Sequence, residues 1–133
     1  MARILIADDS KFTRLFIRRL LEAHGVRDIE EASDGEEVIA KCRVSPPSLI
    51  FLDINMPKKN GLEVLGVIHK YCPSTKIVMV TALGQESTVR EAIRRGASKY
   101  ITKPLSPEEI VNIIKNLIGD VSDEEAYSSS SSR

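Results

Sequence analysis

Three aspartates, a threonine and a lysine each stand directly after a short apolar run. Asp8 and Asp9 follow Ile4 to Ala7, Asp53 follows Leu49 to Leu52, Thr81 follows Ile77 to Val80, and Lys103 follows Tyr100 to Thr102. If those runs are strands of one parallel sheet, the chain leaves each at the same edge, and side chains far apart in sequence meet in one crevice. Taken singly, each has a plain structural role. Asp8, Asp9 and Ser10 precede a helix, where negative charge and a capping hydroxyl are favourable. Asp53 leads into Asn55, Pro57, Asn60 and Gly61, a segment of turn chemistry. Thr81 suits a strand end and Lys103 a solvated surface. Together they require more, because three carboxylates at one edge repel one another until a cation or a proton offsets them. Carboxylate oxygens, a backbone carbonyl and water form the hard oxygen environment that suits Mg²⁺, which also binds phosphate oxygens. No thiolate or imidazole set points to zinc. Beside such a cation a carboxylate can act as nucleophile toward a phosphoryl group that would otherwise repel it, and Asp53, alone after a central run, is the candidate. Lys103 is then placed to neutralise one phosphoryl oxygen and Thr81 to hydrogen-bond another.

The elements that must hold these residues follow from periodicity. A fifth run, Val26 to Ala32, is weaker and carries Asp28, Glu30 and Glu31, which suits a sheet edge. Three of the others are almost continuously apolar and β-branched, as parallel strands covered on both faces require. Between the runs lie helical stripes: Phe12, Phe16 and Leu20 with Ile17 and Leu21; Val38 and Ile39; Val64, Leu65 and Ile68; Val89, Ala92 and Ile93; and Ile110, Ile113, Ile114 and Leu117. All are read as core. Ser106, Pro107, Glu108 and Glu109 mark the start of the last helix with an N-cap, a first-turn proline and a capping-box glutamate. Gly25, Gly96 and Gly119 fall where stripes end, and Pro46, Pro47 and Pro73 occupy connections. Strand and helix alternating five times predict an α/β fold, a parallel sheet with right-handed crossovers and helices on both faces. There is no internal repeat.

The length of 133 residues suits one domain, here residues 1–119, and residues 120–133 read as a polar tail too poor in apolar surface to order itself. Nineteen basic residues balance nineteen acidic ones, so no global field favours nucleic acid or an anionic membrane. No apolar stretch approaches the ~18 residues of a membrane span, and a cytoplasmic protein is expected. Cys42 and Cys72 lack metal or redox spacing and read as small apolar fillers in a reducing compartment. His24 and His69 likewise read as helix or surface residues.

From Ala2 to about Ile118 the chain resembles the receiver domains of two-component response regulators, of the single-domain CheY-like type. The resemblance rests on Leu5-Ile6-Ala7-Asp8-Asp9-Ser10, on Phe51-Leu52-Asp53-Ile54-Asn55-Met56-Pro57 with Gly61, on Val80-Thr81-Ala82 and on Lys103-Pro104. It implies a doubly wound, flavodoxin-like sheet of five strands in the order 2-1-3-4-5. It implies Mg²⁺ held by Asp8, Asp9, Asp53 and the backbone carbonyl of Asn55, with Asp53 as phosphoacceptor. Thr81 would swing toward the phosphoryl group, Lys103 would pair with it, and Tyr100 would rotate inward. Tyr100 has a plainer reading too, an amphipathic ring half buried at a strand start. A cis Lys103–Pro104 peptide is also implied. Leu83 would place an apolar group near the rim of the site.

Three other functions compete. A haloacid-dehalogenase-type phosphatase needs a second acid two residues after its nucleophile, and that position is Asn55. A flavodoxin-like module needs a phosphate loop rich in Gly, Ser and Thr, whereas Asp8-Asp9-Ser10-Lys11 would repel a phosphate. A receiver-like module that binds without being phosphorylated would lack an acid or the lysine, and none is missing. The expectation is a signalling domain that assists only its own phosphoryl transfer and dephosphorylation. A sensor histidine kinase or histidine phosphotransfer protein, or acetyl phosphate, would donate the group. With no output domain after Ile118, a motor component or relay protein would receive the signal by contact, the chain being a monomer or weak dimer.

Overall fold

The run Leu49 to Leu52 becomes a strand because branched and aromatic side chains pack well on a pleated surface, and it is the sheet's centre because nothing in it needs water. It is β3 (Leu49–Asp53), all five residues buried. The computed structural model describes residues 2–82 and 85–117. In chain order the remaining elements are β1 (Arg3–Ala7), α1 (Lys11–Ala23), β2 (Asp28–Ala32), α2 (Gly35–Val44), α3 (Gly61–Tyr71), β4 (Lys76–Thr81), α4 (Glu86–Arg94), β5 (Lys99–Thr102) and α5 (Pro107–Leu117). All neighbours pair in parallel, in the order β2-β1-β3-β4-β5, as the resemblance implies. The winding reverses between β1 and β3, and crevices in open α/β sheets lie at that reversal.

Side chains alternate across each strand, so the sheet carries two cores. Ile4, Ile6, Leu49, Phe51, Val78, Val80 and Ile101 meet Ile17 and Leu21 of α1 and Ile110, Ile113 and Ile114 of α5. Leu5, Ala7, Ile50, Leu52, Ile77 and Met79 meet α2, α3 and α4 through Val38, Val64, Leu65, Ile68, Val89 and Ala92. Full burial of one such side chain contributes about 1.5–3 kcal/mol, which is why these faces fix the register. Cys42 is buried in the second core and Cys72 packs against it.

The structure departs from the sequence reading in four places. The second strand starts at Asp28, not Val26, because Val26 donates its N–H to the Leu21 carbonyl at 3.0 Å and buries its side chain beneath the turn. Phe12 is not core: it is 78% exposed, because the buried line of α1 runs through Ile17 and Leu21, one residue step of about 100° from the line of Phe12, Phe16 and Leu20. Ile93 is 43% exposed for a similar reason, α4 burying Val89 and Ala92 instead. The full capping box belongs to α3, where Asn60 and Glu63 each receive the other's backbone N–H. At α5 the Ser106 hydroxyl accepts the Glu109 N–H at 3.4 Å but gives its proton to Glu108.

Elsewhere the punctuation reads through. Gly25 (φ 88°) and Gly96 (φ 117°) lie in the left-handed region just past α1 and α4. The Lys103–Pro104 peptide is cis. His24 closes α1 with its ring Nδ1 2.9 Å from the Leu20 carbonyl oxygen. Among the described residues no helix is long and apolar enough to cross a membrane. Gly119, Leu83, the Leu117 side chain and the 120–133 tail lie outside the described residues.

Candidate functional site

Asp8 continues the line of β1 by one residue, its N–H bonding the Ala32 carbonyl at 3.1 Å. Its Oδ1 then accepts the Ser10 N–H at 2.8 Å, a turn that aims the chain into α1, whose N-cap Ser10 accepts from the Thr13 N–H at 3.2 Å. Only 1% of Asp8 is exposed, and its buried Oδ2 accepts no hydrogen bond. The Lys103 ammonium lies 3.2 Å from that oxygen, an ion pair without hydrogen-bond alignment. Asp9, the next residue, is exposed.

Asp53 ends β3 and is 4% exposed. Its Oδ1 accepts the Asn55 N–H at 3.1 Å, and its Oδ2 lies 3.6 Å from Lys103 Nζ. Lys103 reaches there because it directly follows β5, where its N–H bonds the Thr81 carbonyl at 2.8 Å. Thr81 ends β4, 2% exposed, beside Thr102 in the register. The strand ends thus gather Asp8, Asp9, Asp53, Thr81 and Lys103, as the sequence predicts.

The electrostatics follow from burial. Desolvation, then the neighbouring Asp8 charge, push the Asp53 carboxyl up to about 6, against the Asn55 N–H and Lys103, which pull it down. Burial disfavours the Lys103 charge, but Asp53 and Asp8 outweigh it and raise its pKa above the ordinary lysine value. One ammonium therefore pairs with two carboxylates, Asp8 and Asp53, which together with Asp9 each offer an oxygen within 4.8 Å of the others. A buried carboxylate oxygen that accepts no hydrogen bond and shares its one ammonium with a second carboxylate is costly. The stranded Oδ2 of Asp8 and the all-oxygen donor set fit a hard divalent cation of the Mg²⁺ kind.

Sequence reasoning missed two residues. Arg14 on α1 donates to the Asp8 carbonyl at 2.6 Å and is held by Glu31 of β2 at 2.8 Å, so it braces the β1–α1 loop. Gln85, just before α4, bonds Thr81, Ala82 and Asn55. Neither residue type is distinctive at its place in the sequence, since both act through contacts with distant segments. Asn55 holds an amide where the phosphatase chemistry needs an acid. Tyr100 is 47% exposed, on the wall of a groove of about 590 Å³ that it shares with Thr81, Gln85 and Ile93.

Known proteins are similar to this chain in sequence and in fold. A family model described as the response regulator receiver domain matches residues 4–115. Protein CcdB of Bacillus subtilis is 37% identical over 119 residues, covering 90% of this chain and 99% of that protein. The chemotaxis protein CheY of Thermotoga maritima is 34% identical over 115 residues, covering 86% of this chain and 96% of that protein. Among solved structures, the CheX–CheY–beryllofluoride–Mg²⁺ complex from Borrelia burgdorferi superposes with a TM-score of 0.81 at 30% identity, over 88% of this chain and 89% of that one.

Proposed function

This chain belongs to the response regulator receiver domains, and from that membership we propose that it works as a phosphorylation switch whose acceptor is Asp53. The observation that carries the reading is the stranded Oδ2 of buried Asp8, beside Asp53 and within reach of one lysine. Asp8, Asp9, Asp53 and the Asn55 carbonyl would hold Mg²⁺, which when bound supplies positive charge against the carboxylates and the incoming phosphoryl oxygens.

The chain's own groups do the rest. An Asp53 oxygen attacks phosphorus, a P–O bond forms as the P–N bond of a phosphohistidine breaks, and the departing imidazole takes up a proton. Lys103 turns from the two carboxylates toward a phosphoryl oxygen, and the Thr81 hydroxyl donates to another. Tyr100 moves inward as Thr81 leaves its present place, altering the surface of α4, β5 and α5. The domain, residues 1–119 followed by a polar tail, is not an enzyme in the ordinary sense; it assists its own phosphoryl transfer and hydrolysis. Its donor is a sensor kinase, a histidine phosphotransfer protein or a small phosphodonor. Its target is a protein, a motor component or a relay protein, met in the cytoplasm by a monomer or weak dimer.

Intact-mass spectrometry after incubation with acetyl phosphate tests this. One phosphoryl group is expected to add in the presence of Mg²⁺, none with chelator, and none to a folded Asp53→Asn variant. Equal labelling of that variant would show that Asp53 is not the acceptor.

A further inference from the structure

Gln85 sits at the N-cap position of α4 and caps nothing there. Its side chain turns to the site instead. Oε1 accepts from the Ala82 N–H at 2.9 Å, the Thr81 hydroxyl at 3.1 Å and the Asn55 amide at 3.3 Å, while Nε2 returns a bond to Asn55 Oδ1 at 3.4 Å. The side chain therefore bridges the end of β4 to the loop after β3, across the mouth of the site.

Two counts give this bridge a consequence. The Thr81 hydroxyl has one proton, and its other acceptor in reach is the Ala82 carbonyl at 3.2 Å. A proton given to Gln85 is withheld from any phosphoryl oxygen. The Gln85 carbonyl has two lone pairs but three donors, so losing Thr81 still leaves it two partners and no unsatisfied group. The bond thus occupies the one Thr81 proton and is cheap for Gln85 to release.

We propose that Gln85 is a positioning residue, a latch that holds the Thr81 hydroxyl away from the acceptor until a phosphoryl group competes for it. The inference rests on the phosphoacceptor reading and adds a control on its switching threshold. A neutral side-chain hydrogen bond is worth roughly a two- to tenfold change in an equilibrium, so that is the size of the bias.

The test uses the full chain and beryllofluoride as phosphoryl mimic, titrated calorimetrically at saturating Mg²⁺. Gln85→Ala should bind roughly two- to tenfold more tightly than wild type. Thr81→Ala and the double variant Thr81→Ala/Gln85→Ala should bind alike, because Gln85 acts through Thr81. In the metal-free protein, NMR couplings should report a fixed Thr81 side-chain rotamer in wild type, an averaged one in Gln85→Ala, and a fixed one again in Gln85→Glu, which keeps the acceptor. Amide spectra check that each variant is folded. Unchanged affinity in Gln85→Ala, an equal gain without the Thr81 hydroxyl, or an unmoved Thr81 rotamer would each overturn the latch while leaving the phosphoacceptor reading intact. A wild type that binds no beryllofluoride overturns both.

Discussion

At the scale of single residues, the site is held in tension by Asp53, a carboxylate buried beside another carboxylate and shifted from its ordinary 3.8 to about 6. A carboxyl with a raised folded-state pKa binds more protons folded than unfolded between those two values. The metal-free protein should therefore lose stability on this account as pH rises from about 4 through about 6, by on the order of 3 kcal/mol. Urea denaturation at pH 4.5 and pH 7 in chelator measures it, with Asp53→Asn as the reference that lacks the titration. The difference between the two proteins should shrink as the pH falls; a difference independent of pH would mean that Asp53 titrates normally. The acids and the lysine were recognisable from their places after apolar runs. Gln85 and Arg14 were not, because each acts through a contact made by chain folding, to Thr81 in one case and to the Asp8 carbonyl in the other.

At the scale of elements, the loop from β3 to α3 carries both Asp53's backbone partner and the start of a helix. The Asn60–Glu63 box fixes where α3 begins. Asn60→Ala should cost about 1 kcal/mol in denaturant unfolding while leaving phosphorylation by acetyl phosphate in place. Gly61 lies tighter against the strand: a Cβ there would sit 2.6 Å from Ile54 Cα and 2.7 Å from the Asp53 carbonyl oxygen. Both atoms are backbone and cannot swing aside. Gly61→Ala should therefore destabilise the fold by about 1–3 kcal/mol and, unlike the Asn60 variant, slow the labelling of Asp53. Equal labelling rates in the two variants would sever that loop from the site. Turn chemistry at Asn60 and Gly61 was readable as turn chemistry. Its assignment as the complete capping box was not, because the serine, proline and glutamates before α5 match that pattern as well and only the bonds distinguish them.

At the scale of the whole molecule, the site belongs to no single element but to the common edge of four strands, so a ligand there should stabilise the fold as a unit. A cation that binds the native chain alone, at a hundred times its dissociation constant, adds about 2.7 kcal/mol. The melting temperature should accordingly rise by several degrees in Mg²⁺, and by much less in Asp53→Asn, which lacks one carboxylate of the three. Calorimetric scans of both proteins with Mg²⁺ and with chelator decide this; equal shifts would place the cation elsewhere.

The sequence by itself determined the alternation of strands and helices, their approximate bounds, and the identity of the acids, hydroxyl and lysine that follow the strands. Those are local properties: backbone preference, side-chain periodicity and the chemistry of one residue at a time. The tertiary structure decided which face of α1 is buried and leaves Phe12 in water, which oxygen of Asp8 is stranded, and which residues join the site from neighbouring loops. These depend on the angular placement of each helix over the sheet and on contacts such as Asn55 to Gln85, thirty residues apart in sequence. No local pattern encodes them, because their energies exist only once two distant segments are packed together.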